Sequence, residues 1–89
     1  MVTKEDRKTI LEISRKYHAK RVILFGSSLS PDKDSRDIDI AVEGIDPYKF
    51  FKYYGDLIFS LSKPVDVIDL TGTSKFIQMI RKEGVLLYG

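Results

Sequence analysis

The chain has 89 residues, of which 43% are hydrophobic and 31% are charged, as is typical of one small globular domain. Its 15 basic and 13 acidic residues give a net charge of +2, which gives no reason to expect nucleic acid as a partner. The absence of cysteine excludes disulfides and thiolate metal sites and favours a cytoplasmic protein. The charged N-terminus does not fit a signal peptide, and no apolar run approaches the roughly 20 residues that cross a bilayer.

The first half of the chain predicts one helix and two strands. Thr3 and Asp6 form a capping-box-like start, and apolar residues then recur at helical spacing. The next apolar run is continuous, as in a strand that is buried on both faces. The predicted order is a helix that ends at residues 18–20, a strand over 21–25, a polar loop over 26–36 and a second strand over 37–43.

The second half predicts two helices, a third strand and a short tail. Asp46 before Pro47 is a typical helix start, and Thr73 or Ser74 caps the last helix. We expect Tyr53 to lie on the polar side of the second helix, opposite a broad apolar face that reaches the core. That face consists of Phe50, Phe51, Tyr54, Leu57, Ile58 and Leu61; the third strand covers residues 65–70 and an edge strand covers 85–88.

This order of elements predicts a single domain over residues 1–89 with an α/β fold. Helices that alternate with strands indicate a small mixed β-sheet of three to four strands covered by helices. The loop between the first two strands is short for a crossover, so we expect these strands to be antiparallel. A domain of this length buries only about 60 to 65% of its unfolded surface, which favours a protein partner or a homo-oligomer.

Two aspartates in the second strand suggest a metal site. Asp37 and Asp39 are two positions apart, and side chains at that spacing in a strand point to the same face. Adjacent carboxylates repel each other unless a cation lies between them. Gly26 and Ser27 end the preceding strand, where a glycine lets the backbone approach a phosphate and a serine offers a hydroxyl and an N–H. The pattern indicates Mg²⁺ and a phosphate-bearing substrate, against the alternative of a solvated strand face.

Asp66 is a third candidate carboxylate. It lies between Val65 and Val67 in an apolar strand, where an unpaired buried carboxylate costs on the order of several kcal/mol. Either a salt bridge to a basic residue or a metal shared with Asp37 and Asp39 would explain it. Three aspartates can hold two divalent ions, of which one binds the phosphates of a nucleotide and the other lowers the pKa of an attacking hydroxyl.

The motifs Gly26-Ser27, Asp37-x-Asp39 and Asp66, in this strand order, resemble the nucleotidyltransferase superfamily that includes polymerase beta. The closest resemblance is to its minimal nucleotidyltransferase (MNT) branch, and it covers essentially the whole chain. It implies the nucleotidyltransferase fold and transfer of a nucleoside monophosphate, often from ATP, to a hydroxyl with two Mg²⁺ or Mn²⁺ ions. It assigns catalysis and metal binding to Asp37, Asp39 and Asp66, and nucleotide binding to Gly26, Ser27, Ser28 and Arg36.

The resemblance also implies a protein partner. MNT proteins are often encoded beside helical HEPN-type proteins as toxin–antitoxin pairs. In the best understood of these pairs the MNT protein is the antitoxin and adenylylates a tyrosine of the toxin, which is the role that the resemblance implies for this chain. This chain departs from the family after Gly-Ser, because residues 28–32 contain neither the usual arginine nor the usual glycine, and Arg36 replaces a common serine. Lys33 and Arg36 could supply the missing positive charge. The alternative is a weak or inactive MNT-fold module that neutralises its partner by binding it.

Overall fold

The computed structural model describes residues 2–29 and 37–89, which contain three α-helices and a four-stranded sheet. The predicted contacts of Lys33 and Arg36 lie outside these residues. Two short 3-10 turns, Gly26–Leu29 and Pro47–Lys49, follow β1 and precede α2. The elements are α1 (Lys4–Lys16), β1 (Arg21–Leu24), β2 (Ile38–Glu43), α2 (Phe50–Ser60), β3 (Val65–Asp69), α3 (Lys75–Glu83) and β4 (Val85–Tyr88).

The sheet has the order β3-β2-β1-β4 and is mixed, as predicted. β1 is antiparallel to β2 and to β4, whereas β2 is parallel to β3. The parallel pair is possible because α2 forms the crossover between β2 and β3. The predicted tail strand is confirmed as β4 at one edge of the sheet.

Side-chain caps fix the starts of α1 and α3 where the sequence predicts them, whereas Asp46 caps the 3-10 turn before α2 and α2 itself begins at Phe50 without a side-chain cap. The Thr3 hydroxyl accepts a hydrogen bond from the Asp6 backbone N–H at 3.1 Å, and Ser74 accepts one from the Ile77 N–H at 3.2 Å. The buried Asp6 carboxylate also accepts hydrogen bonds from the backbone N–H and the hydroxyl of Ser62, at 3.1 and 2.5 Å. Asp6 therefore ties the start of α1 to the segment that leads into β3.

The core has two layers, one on each face of the sheet. Ile38, Ile40 and Val42 of β2 pack on the face covered by α1 and α2, while Ala41 packs on the face covered by α3. Because side chains alternate along a strand, Asp39 lies on the α3 face. Asp66 shares that face, since Val65 and Val67 on either side of it belong to the α1/α2 layer; the α3 layer consists of Ile23, Phe25, Ala41, Leu70, Ile77 and Ile80.

The prediction for the faces of α2 is wrong in part. Tyr53 is fully buried, whereas Phe51 is 85% exposed and Ile58 is 56% exposed. Tyr53 can be buried because its hydroxyl shares a hydrogen bond of 2.8 Å with the buried Ser14 hydroxyl. Apolar residues occur almost all around this helix, so their spacing alone cannot identify the face that packs on the sheet. In the described part of the chain, no helix has the length and apolar character needed to cross a membrane.

Candidate active site

Asp39 and Asp66 are direct neighbours across the parallel strands β2 and β3. The two residues are register partners and lie on the same face, and adjacent strands are about 4.8 Å apart. Asp39 is half-buried and Asp66 is exposed, which corrects the expectation that Asp66 lies in the apolar interior. Its valine neighbours face the α1/α2 layer, whereas Asp66 itself points to the opposite, open side. The position of Asp66 in the strand therefore does not require a buried salt bridge or a metal ion to explain it.

Gly26 lies against the carboxylate of Asp39. Its φ of +61° belongs to the left-handed region, and a Cβ at this position would come within 2.8 Å of Asp39 Oδ2. Glycine is thus required twice, by the turn after β1 and by the close approach to the carboxylate. The predicted approach of the Gly26 backbone to a phosphate stays a prediction; the structure shows Gly26 against an aspartate.

Ser28 holds the backbone of Asp39. Its hydroxyl accepts a hydrogen bond of 2.6 Å from the Asp39 N–H and donates one of 3.1 Å to the Asp39 carbonyl. The side chain is only 2% exposed, so both hydrogen bonds are shielded from water. The sequence predicts Ser28 as a nucleotide ligand; its hydroxyl is already engaged with Asp39, and that ligand role stays a prediction.

A groove of about 320 Å³ opens in front of the two aspartates. Phe25 and Phe76 form one wall, with their rings edge to face at 5.9 Å. Tyr54 is also part of the groove, and its hydroxyl donates a hydrogen bond of 3.1 Å to the Val65 carbonyl. Tyr54 is predicted on the apolar face of α2; it packs against the α1/α2 layer and also lines the groove, because helical periodicity does not separate a core aromatic from one at the rim of a groove. The full lining is Phe25, Asp39, Tyr54, Asp66, Val67, Ile68 and Phe76.

Asp37 is exposed and lies one residue before the start of β2. Among residues 2–29 and 37–89, no three or more His, Cys, Asp or Glu side chains come together as a group that could hold a metal ion. Within those ranges the structure thus brings together Asp39 and Asp66 and does not assemble the predicted three-aspartate centre. The metal-binding and catalytic roles of Asp37, Asp39 and Asp66, and the phosphate contact of Ser27, stay predictions.

Glu43 lies on the same face of the sheet as Asp39, at the other end of β2, and is paired with basic side chains. Glu43 accepts a hydrogen bond of 2.8 Å from Arg81 and lies within 3.8 Å of Arg21 and 3.7 Å of Lys20. The Arg81 hydrogen bond holds the pKa of the Glu43 carboxyl below its ordinary value, against the opposing effect of desolvation. Glu43 therefore joins β1, β2 and α3 through ion pairs.

Comparisons with known proteins concern the family and the fold of this chain. The family described as "Polymerase beta, Nucleotidyltransferase" matches residues 8–89. A chain of the MntA–HepT toxin–antitoxin crystal structure has 24% identity and a TM-score of 0.72, over 98% of this chain and 73% of that one. A chain of a toxin–antitoxin crystal structure with AMP-PNP has 27% identity and a TM-score of 0.74, over 93% and 73%.

A third similar chain comes from a structure of the tri-AMPylated Shewanella oneidensis HEPN toxin in complex with its MNT antitoxin. It has 26% identity and a TM-score of 0.70, and the match covers 94% of this chain and 70% of that one. A comparison with curated proteins finds no match. Because the family match spans almost the whole chain, this chain belongs to the polymerase beta nucleotidyltransferase family.

Proposed function

We propose that this chain transfers AMP from ATP to a hydroxyl on a helical HEPN-type protein partner, as the antitoxin of a toxin–antitoxin pair. The observation that carries the proposal is the Asp39–Asp66 pair, which lies at an open groove beside the Gly26 turn. Family membership supports nucleotidyl transfer in general. The similar chain in complex with an AMPylated HEPN toxin supports AMP as the transferred group and a HEPN protein as the acceptor.

The two carboxylates fit a magnesium ion. Mg²⁺ prefers oxygen ligands and is commonly held by one or two carboxylates together with water and substrate phosphates. Asp39 and Asp66 supply such a pair, and Asp37 is the predicted additional ligand. When bound, Mg²⁺ neutralises phosphate charge and lowers the pKa of the acceptor hydroxyl. Without a cation, two neighbouring carboxylates would repel the phosphates of ATP.

The residues of the chain position the reaction. Gly26 lets the turn after β1 lie against the Asp39 carboxylate, and Ser28 fixes the Asp39 backbone in advance. The acceptor oxygen forms a bond to the α-phosphorus while the bond from that phosphorus to the bridging oxygen breaks, which releases pyrophosphate. Asp66 is the exposed carboxylate at the groove and takes the proton of the acceptor hydroxyl.

A second candidate function is that of a binding module without catalysis. It is favoured by the segment after Ser27, since residues 28–32 lack the arginine and glycine that are usual in the family. In this case the chain would neutralise its partner by covering it. Both candidates need the same partner, and they differ in whether a covalent adduct forms.

Labelled ATP separates the two functions. The purified chain is incubated with Mg²⁺, the protein encoded by the neighbouring gene, and ATP that carries the label on either the α- or the γ-phosphate. We expect the α-label to appear on the partner protein and the γ-label to remain in solution, as nucleotidyl transfer requires. A complex that forms without any label on the partner would contradict the enzyme and support the binding module.

A further inference from the structure

Helix α2 and the 3-10 turn that leads into it carry a second set of apolar side chains, which points to solvent. Tyr48, Phe51, Ile58 and Phe59 are 98%, 85%, 56% and 91% exposed, respectively. We refer to these four residues, together with Gly55 between them, as the outer stripe. Large exposed apolar patches are rare on proteins that act alone and mark sites of association. Three of the four side chains are aromatic, the residue type that contributes most to binding at protein interfaces.

The spacing of the outer stripe fits a helix as its partner. At about 100° per residue, Phe51, Gly55, Ile58 and Phe59 fall within one arc of roughly 100°, away from the buried Tyr53. Gly55 lies inside α2, where glycine costs about 1 kcal/mol relative to alanine. Nothing lies within 4 Å of where its Cβ would be, so packing within the described chain does not require a glycine there. Gly55 thus leaves a notch between the aromatic side chains of Phe51 and Phe59, and the backbone of a partner can come close to α2 there.

The outer stripe is continuous with the candidate active site. Helix α1 packs along one side of α2, where the Tyr17 hydroxyl donates a hydrogen bond of 2.6 Å to Asp56. The other side of α2 carries Tyr54, which lines the groove of the two aspartates. Tyr54 contacts Phe50 with ring centroids 6.4 Å apart, and Phe50 in turn contacts Phe51 at 6.2 Å. A protein seated on the stripe would therefore have the groove beside it.

The flank nearest α1 is basic. Lys16, Lys49 and Lys52 line a hollow of about 270 Å³ together with Tyr17 and His18. Asp56 lies 3.6 Å from Lys16 and offsets part of this charge. Three lysines against one aspartate leave a positive flank, which is complementary to carboxylates at the rim of a partner.

We propose that the outer stripe docks an apolar helix face, bordered by carboxylates, on the protein that carries the acceptor hydroxyl. This inference rests on the proposed function for the identity of the partner. It assigns recognition to α2 and chemistry to the Asp39–Asp66 groove, so the two can be separated by mutation. Docking places the acceptor close to the groove and supplies part of the orientation that transfer requires.

The test measures binding and transfer with the protein encoded by the neighbouring gene. We expect Phe51→Glu combined with Phe59→Glu to raise the Kd by about 30-fold or more, as for interface hot spots. Tyr48→Glu, at the most exposed position of the stripe, is a second variant that does not depend on the helix interior. The matched control is Met79→Glu, which places a carboxylate at a 44% exposed apolar position on α3 and should leave the Kd unchanged.

Asp39→Asn separates this proposal from the proposed function. We expect it to bind the partner as tightly as the wild type and to transfer no AMP. Stripe-dependent binding without transfer by the wild type would overturn the proposed function and leave the docking surface standing. Wild-type affinity in both stripe variants would overturn the docking surface, as would failure of the wild type to bind this protein. A wild-type dimer that the stripe variants convert to monomers in light scattering would also overturn it, because the occupant would then be a second copy.

Discussion

The Ser28 hydroxyl bridges the backbone of Asp39, accepting a hydrogen bond from its N–H and donating one to its carbonyl. The two residues are 11 positions apart, so one buried hydroxyl joins the turn after β1 to the start of β2. Asp39 is therefore held in place by the fold itself. A backbone that is fixed in advance limits the reorganisation of the side chain it carries when charge develops in the transition state.

Replacing Ser28 with alanine should lower the rate of AMP transfer beyond what its loss of stability explains. The change leaves the Asp39 N–H without its hydroxyl partner, which costs about 1 to 3 kcal/mol for a buried donor. We expect the unfolding free energy to fall by about this amount and kcat to fall while KM for ATP changes little. Ser60→Ala, at the exposed last residue of α2, is the control and should alter neither the free energy of unfolding nor kcat. An unchanged kcat in Ser28→Ala would contradict a positioning role.

Gly26→Ala should lower the rate of AMP transfer in addition to the stability that any alanine loses at a positive φ. The new Cβ would meet Asp39 Oδ2 at 2.8 Å, so either the carboxylate or the turn must shift. Gly72→Ala is a matched control, because Gly72 also has a positive φ, of +104°, but has nothing within 4 Å of its Cβ position. We expect both variants to lose about 1 to 2 kcal/mol of stability in denaturant unfolding and only Gly26→Ala to lose transfer. Equal transfer by the two variants would argue against the contact.

The buried Tyr53 should make the fold sensitive to alkaline pH. Burial raises the pKa of Tyr53 from 10.0 to about 12, while the hydrogen bond with Ser14 acts in the opposite direction. A group whose folded pKa is raised contributes stability below its unfolded pKa and loses it as the pH rises. We expect the unfolding free energy to fall by about 2 to 3 kcal/mol between about pH 9 and about pH 12 from this residue.

Tyr53→Phe isolates that contribution. The variant should be less stable than the wild type near neutral pH, since the Ser14 hydroxyl loses its partner, by about 1 kcal/mol. The free energy of unfolding of the variant should decline less at alkaline pH than that of the wild type, because the buried tyrosine that resists ionisation has been removed. Denaturant unfolding at several pH values measures both effects. Parallel curves for the two proteins would contradict the assignment to Tyr53.

The sequence predicts the architecture well because its signals are local. The caps at Thr3 and Ser74, the strand patterns and the short first loop lead to the mixed sheet that the structure shows. The family resemblance also holds over residues 8–89. These features depend on spacing along the chain, which can be read without knowing which elements meet.

The errors concern which side of an element faces the core. Tyr53 was expected on the polar side and is buried, because Ser14, which is 39 positions away, satisfies its hydroxyl. Asp66 was expected in the interior and is exposed, because α3 leaves the groove open on its side of β3. The hydrogen bonds of Ser28 to the Asp39 backbone likewise depend on tertiary structure, because they join the turn after β1 to β2. Such contacts are set by tertiary structure, which a periodic pattern does not specify.

The Asp39–Asp66 pair is tested most directly by the rate of AMP transfer from α-labelled ATP to the partner in Asp66→Asn and Asp69→Asn. Both residues are exposed aspartates of β3, but Asp69 accepts hydrogen bonds from the N–H and hydroxyl of Thr71, at 3.0 and 2.6 Å, and is not part of the groove. We predict that Asp66→Asn lowers the rate by about 100-fold or more, while Asp69→Asn stays close to the wild type. Transfer by Asp66→Asn at the wild-type rate would contradict the assignment of the active site.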